Sequence, residues 1–138
     1  MQPLILSVLG REGALDIRAF VSADRVSRKK PAPDIYLLAA SMLDVPPERC
    51  VAFEDSTNGV LAAKAAGIFT IATPSRWTRS QDFSRADICL SELGEPDAPL
   101  GPADAIRLGG AGFVGLAQVE ALYARREDAA VQRHPGQN

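Results

Sequence analysis

The sequence predicts an α/β fold built on a mostly parallel sheet, and three observations carry that reading. Apolar runs the length of buried strands alternate with segments of helical periodicity, the order that βαβ units require. The stretch from Cys50 to Gly67 reads as strand, acidic turn and helix in direct succession. A β-branched run, Ile68 to Ala72, follows at once, bounded by Gly67 and Pro74, and supplies a neighbouring strand.

The elements follow in chain order. Met1 to Gly10 reads as a helix capped by Gly10; it lacks the positive start and cleavage site of a targeting segment. Arg11 to Ile17 is a polar connection, and Ala19 to Ala23 a short buried strand ending at Asp24. A basic loop, Arg25 to Asp34, is stiffened by Pro31 and Pro33. Ile35, Leu38, Ala39, Met42 and Leu43 then form the stripe of an amphipathic helix, closed by Pro46 and Pro47. Cys50 to Phe53 is the next strand. Thr57 to Ala66 is a helix with Ser56 as N-cap and Gly67 as C-cap. After the strand Ile68–Ala72, a loop from Thr73 to Ser84 carries Trp77, and Asp87 to Leu90 is a short fourth strand. Gly94 to Gly112 reads as an irregular crossing, Phe113 to Tyr123 as a last helix, and 125–138 as a polar tail behind a core portion at 1–124.

Composition excludes several function classes. The 138 residues are 46% hydrophobic and 23% charged, enough for one ordinary core. A net charge of -2 gives no case for nonspecific nucleic-acid binding. No apolar run approaches the roughly 18 residues that a membrane span needs, so the sequence reads as soluble, with no membrane partner. Cys50 and Cys89 form no Cys-x-x-Cys pair and sit in apolar runs, which suits reduced thiols in a cytoplasmic protein.

Chemistry concentrates at Glu54 and Asp55, which follow an apolar strand, where ligands of open α/β sheets bind. Adjacent ionised carboxylates repel unless a cation or proton relieves them. A hard divalent ion such as Mg2+, held by one or two carboxylates and several waters, fits. The competing reading is a strand-end Asp that caps the next helix beside a merely solvated Glu54. Arg76, Trp77 and Arg79 read first as a surface loop whose Trp covers the sheet edge, and second as a loop closing over substrate. His134 lies in the polar tail, away from any candidate chemistry.

Two motifs at this separation are more specific than either alone. Lys30-Pro31-Ala32-Pro33-Asp34, then Phe53-Glu54-Asp55-Ser56 with Gly59, resembles the second half of a haloacid-dehalogenase-type phosphatase. Pro47 to Cys50, Ala65-Ala66-Gly67, Thr73 to Thr78 and Asp82-Phe83-Ser84 extend the likeness toward the CbbY-like branch, associated with sugar-phosphate phosphatases. The resemblance covers roughly Leu15 to Leu100 and extends to the final helix. It implies a Rossmann-like three-layer core and hydrolysis of a phosphorylated sugar. It also implies a catalytic Lys30 that steadies phosphate and nucleophile, with Glu54 and Asp55 holding Mg2+. Ser56 and Asn58 are supporting candidates that could orient those carboxylates; helix capping is the competing role. A cis Lys30–Pro31 bond is compatible with the motif and not readable from the sequence.

The resemblance also implies parts that these residues do not supply. Such phosphatases attack phosphorus with the first Asp of an Asp-x-Asp-Gly-Thr motif, and no two aspartates here stand two apart. The first two core strands, the Ser/Thr phosphate motif and the substrate-selecting cap are missing as well. Three readings follow in order: a fragment of such a phosphatase, inactive alone; a non-catalytic partner completing a site with a nucleophile-bearing half; and a metal- or phosphate-binding domain without chemistry. In each, a sheet short of its central strands must cover its open edge or re-pair the Ala19–Ala23 strand beside Val51, which predicts marginal stability.

Overall fold

The computed structural model describes residues 18–133. The expected opening helix Met1–Gly10, the connection Arg11–Ile17 and His134 lie outside them. Three parallel strands, β1 (Val51–Glu54), β2 (Phe69–Ala72) and β3 (Ile88–Cys89), form a sheet in that order. Helix α1 spans Asp34–Leu43 and α2 spans Thr57–Ala65; α3 (Pro102–Arg107) and α4 (Leu116–Arg133) follow the sheet. The parallel α/β architecture expected from the sequence is present.

Strand periodicity sorts the side chains to two faces. Phe69 and Ile71 of β2 point into a core with Leu90, Leu100, Leu108 and Leu122, against which Val119 and Tyr123 of α4 pack. Ala52 of β1 faces the other way, onto Ala63 of α2, its C-cap Ala66 and Ile68, with Tyr36 of α1 alongside. Alanines on this second face let α2 approach the sheet closely. The register Val51↔Phe69 through Glu54↔Ala72 brings the ends of β1 and β2 level, and the Thr73 N–H donates to the Glu54 carbonyl at 2.8 Å. Gly67, at φ 82°, supplies the left-handed residue that turns α2 into β2.

Three expectations need correction. Ala19–Ala23 is not a strand: 19–22 is irregular, and a 3₁₀ turn spans Ala23–Arg25. A strand satisfies its backbone through a neighbour, and no described segment pairs with this one. It does not re-pair beside Val51, so among the described residues β1 lies at the edge of the sheet, with Phe53 47% exposed upon it. The Gly94–Gly112 crossing contains α3, begun by Gly101 and Pro102 at the positions that favour helix entry. The last helix runs on to Arg133, so the polar stretch from Arg125 is helical that far. Cys50 and Cys89 are free, partly buried thiols.

Helix α3 fastens the sheet through Asp104, which is buried. Its Oδ2 accepts from the Ser91 N–H at 2.8 Å and the Ser91 hydroxyl at 2.5 Å, and its Oδ1 from Arg107 at 3.1 Å. Burial works to raise this carboxyl, but the Ser91 bonds and the Arg107 charge outweigh it and hold it below the ordinary range. A carboxyl depressed in the fold stabilises above its unfolded value, about 4, and loses that contribution as pH falls through the lower folded value. Urea midpoints measured from pH 7 down to about pH 2 are therefore expected to fall less steeply for Asp104→Asn than for the wild type. Parallel curves would contradict the assignment.

Candidate active site

The exit of β1 and the Lys30 loop build the site together. Glu54, on the α2 face of β1, is 8% exposed. Its Oε1 accepts from the Lys30 ammonium and from the Tyr36 hydroxyl, which are 24 and 18 residues distant in sequence. The Lys30 Nζ also stands 5.2 Å from the Tyr36 ring centroid. Burial, the bond to Glu54 and that group's charge push the Tyr36 phenol up, so it is a fixed proton donor at neutral pH. Lys30 itself is half-open to solvent, with a side chain 36% exposed against 7% for Glu54. Its ammonium can therefore serve both the carboxylate and an incoming anion. The Lys30–Pro31 peptide bond is cis.

Local sequence explains each placement. Pro33 N-caps α1, and Asp34 in its first turn holds Arg28 in a two-pronged ion pair at 2.8 and 3.1 Å, which closes the basic loop. Lys30 lies within that loop. Ser56 caps α2, its Oγ accepting from the Gly59 N–H at 3.2 Å. Gly59 leaves the space that Glu54 fills: a Cβ there would lie 1.7 Å from Glu54 Oε2. Asp55 and Asn58 are exposed.

The structure thus brings Lys30 and Glu54 together, with Asp55 adjacent at the strand's carboxyl end. Ser56 acts as a cap, and Asn58 makes no side-chain hydrogen bond among the described residues. Trp77 does not cover the sheet edge; it is 77% exposed, with the Arg76 guanidinium 4.4 Å from its ring centroid. Tyr36 and Gly59 are the site residues whose roles sequence reasoning missed.

Whether these residues suit a divalent cation can be judged from the donors. No group of three or more His, Cys, Asp or Glu gathers among the described residues. Glu54 is committed to Lys30 and Tyr36, whereas the exposed Asp55 carboxylate has no such engagement among them. One free carboxylate with a second beside it fits Mg2+, which takes one or two carboxylates and keeps its waters.

A model of the haloacid dehalogenase-like hydrolases matches residues 2–67. Protein CbbY of Cereibacter sphaeroides is 53% identical over 74 residues, covering 54% of this chain and 32% of that protein. Hexitol phosphatase B of Escherichia coli is 42% identical over 78 residues, covering 56% of this chain and 35% of that enzyme. A CbbY variant from Rhodobacter sphaeroides, crystallised with xylulose-1,5-bisphosphate, superposes with a TM-score of 0.55 at 47% identity, covering 64% of this chain and 39% of that one. The chain is similar to the haloacid dehalogenase-like hydrolases over residues 2–67. Within them it is similar to the CbbY proteins, and it spans about a third of the length of the curated relatives named here.

Proposed function

We propose that this chain forms one wall of the active site of a Mg2+-dependent phosphatase acting on a phosphorylated sugar. The observation that carries the reading is the convergence of Lys30 and Tyr36 on buried Glu54, with Asp55 open to solvent next to it. Similarity to a hexitol phosphatase and to a CbbY crystallised with xylulose-1,5-bisphosphate supports the substrate class.

Each residue has a distinct task. Lys30 presents a compact positive charge to the phosphoryl oxygens, where charge must be stabilised in a transfer that is mostly positioning and electrostatics. Glu54 and Tyr36 hold that ammonium in place. Asp55, with Glu54 beside it, would hold Mg2+. The ion, when bound, neutralises phosphoryl charge. The attacking carboxylate must come from elsewhere, because these 138 residues contain no Asp-x-Asp.

The chain alone is therefore expected not to turn over, and to gain Mg2+-dependent hydrolysis of a hexose phosphate when a segment bearing Asp-x-Asp-Gly-Thr from a relative is supplied. Lys30→Met is expected to reduce the restored rate by about 100-fold or more. Metal binding has its own readout: Mn2+, a paramagnetic substitute, should broaden the amide signals of Asp55 to Gly59, and Asp55→Asn should abolish the broadening. A folded, complemented pair with no hydrolysis would defeat the phosphatase reading, and unchanged broadening in Asp55→Asn would defeat the metal assignment.

A further inference from the structure

Beside the Lys30 site, on the same carboxyl-end rim of the sheet, lies a second cleft of about 510 Å³ between the loops that leave β2 and β3. Ser75, Arg76 and Arg79 line it from one side, Ser91 and Arg107 from the other. Its charges are unevenly matched. Arg107 is engaged, donating to the Cys89 carbonyl at 2.7 Å and to Asp104 at 3.1 Å. Arg76 and Arg79 form no ion pair among the described residues. Asp104 also lines the cleft but is matched by Arg107, and the Ser91 and Ser75 hydroxyls are engaged with Asp104 and Thr78. The two uncompensated guanidinium groups are what favours an anion, since the guanidinium fork matches phosphate and carboxylate oxygens.

The arginine loop is built rather than loose. The Thr78 and Arg79 N–H groups donate to the Ser75 carbonyl at 3.1 and 3.0 Å, a single hydrogen-bonded turn. Residues three apart on such a turn lie on one side, which brings Arg76 and Arg79 to the cleft together. The Ser75 N–H donates to the Thr78 hydroxyl at 2.9 Å and closes the turn further. Stacking on Trp77 restrains the Arg76 guanidinium. The loop's far end is tied to the turn that carries Asp55: the Thr57 N–H donates to Gln81 Oε1 at 2.9 Å, and the Thr57 hydroxyl to the Asp82 carbonyl at 2.8 Å. The two sites are thus held at a fixed spacing. Strands lie about 4.8 Å apart, so the exits of β2 and β3 stand roughly 5 and 10 Å from that of β1.

We propose that this cleft is an anion subsite and that it receives the non-reacting anionic group of the substrate. A sugar carrying phosphates at both ends has two such groups at a separation of this order. The assignment of the second group rests on the Lys30–Asp55 reading above; the anion site itself does not.

Titrating the full chain with inorganic phosphate, followed through its backbone amide spectrum, tests the subsite. The amides of Ser75, Thr78 and Ser91 are expected to move with one affinity, and those of Asp55 to Gly59 with another. Arg79→Gln should weaken the first response about tenfold, a loss of about 1.4 kcal/mol, and leave the second intact. Arg79→Lys, which keeps charge without the fork, should fall between. Lys30→Gln should do the reverse, sparing the cleft. No movement of the cleft amides up to about 10 mM phosphate, in a folded chain, overturns the subsite. Movement of the cleft alone upholds it while counting against the Lys30 site. Fructose bisphosphate should bind about tenfold tighter than fructose monophosphate, and Arg79→Gln should erase that gain. Equal binding of the two sugars by the wild type would defeat the second-group assignment.

Discussion

Gly59→Ala is expected to lower the unfolding free energy by about 2 kcal/mol, against the usual sense of a Gly-to-Ala change within a helix. Alanine in a helix interior is favoured over glycine by about 1 kcal/mol, and Gly59 sits at the third position of α2. The new methyl would stand 1.7 Å from Glu54 Oε2 and 2.1 Å from its carboxyl carbon, distances that no neighbour tolerates. The carboxylate cannot swing away freely, because its Oε1 accepts from both Lys30 and Tyr36 and it is buried. Overpacking of this kind costs about 1–3 kcal/mol, and displaced hydrogen bonds to a charged group add to it. Urea denaturation gives the net value. Shortening the acid removes the obstacle, so Glu54→Ala should cost less in the Gly59→Ala background than alone, and the paired variants should depart from additivity by about 1–2 kcal/mol. Stabilisation by Gly59→Ala would show that Glu54 does not occupy that space.

The same residues show what the sequence could and could not disclose. Helix α1, β1, α2 and β2 were legible because periodicity, caps and turn residues all agreed there; Ser56 and Gly67 bracket α2 as expected. Lys30 and Glu54 were legible as motif members, but nothing local indicates that one side chain meets the other. Tyr36 adjoins the apolar stripe of α1, and a phenol beside a helix stripe ordinarily reads as core packing. Its hydroxyl gains meaning only when the fold brings Glu54 to it. Gly59 read as a member of the acidic motif with no task of its own. The available signal was its position, one helical turn after two carboxylates. Ala19–Ala23 failed for the opposite reason: its composition suits a strand, yet pairing is a tertiary property that composition does not contain. Density of Gly and Pro hid α3, although Gly101-Pro102 is itself a start signal. Polarity hid the end of α4, where Ala, Arg and Glu are good helix formers whatever their charge.

Lys30→Met is the sharper test of whether the site is a coupled unit. The replacement keeps an unbranched apolar stem of similar reach and removes only the ammonium. Glu54 would then remain buried with the Tyr36 hydroxyl alone at Oε1. Breaking a fully buried pair by deleting one partner costs about 3–5 kcal/mol. The half-open ammonium stands partly in water, where ion pairs contribute little, so the expected loss is smaller, about 1–3 kcal/mol. Most of that loss is the penalty of an uncompensated carboxylate rather than the worth of the pair. Lys30→Met with Glu54→Gln should accordingly recover most of it, since a neutral amide needs no counter-charge and its oxygen still accepts from Tyr36. A double variant no more stable than Lys30→Met alone would mean that Lys30 supports the loop by other contacts. Recovery of stability without recovery of phosphate binding would separate the two tasks of one ammonium: it balances Glu54 in the folded protein, and it offers the remaining face of its charge to the substrate.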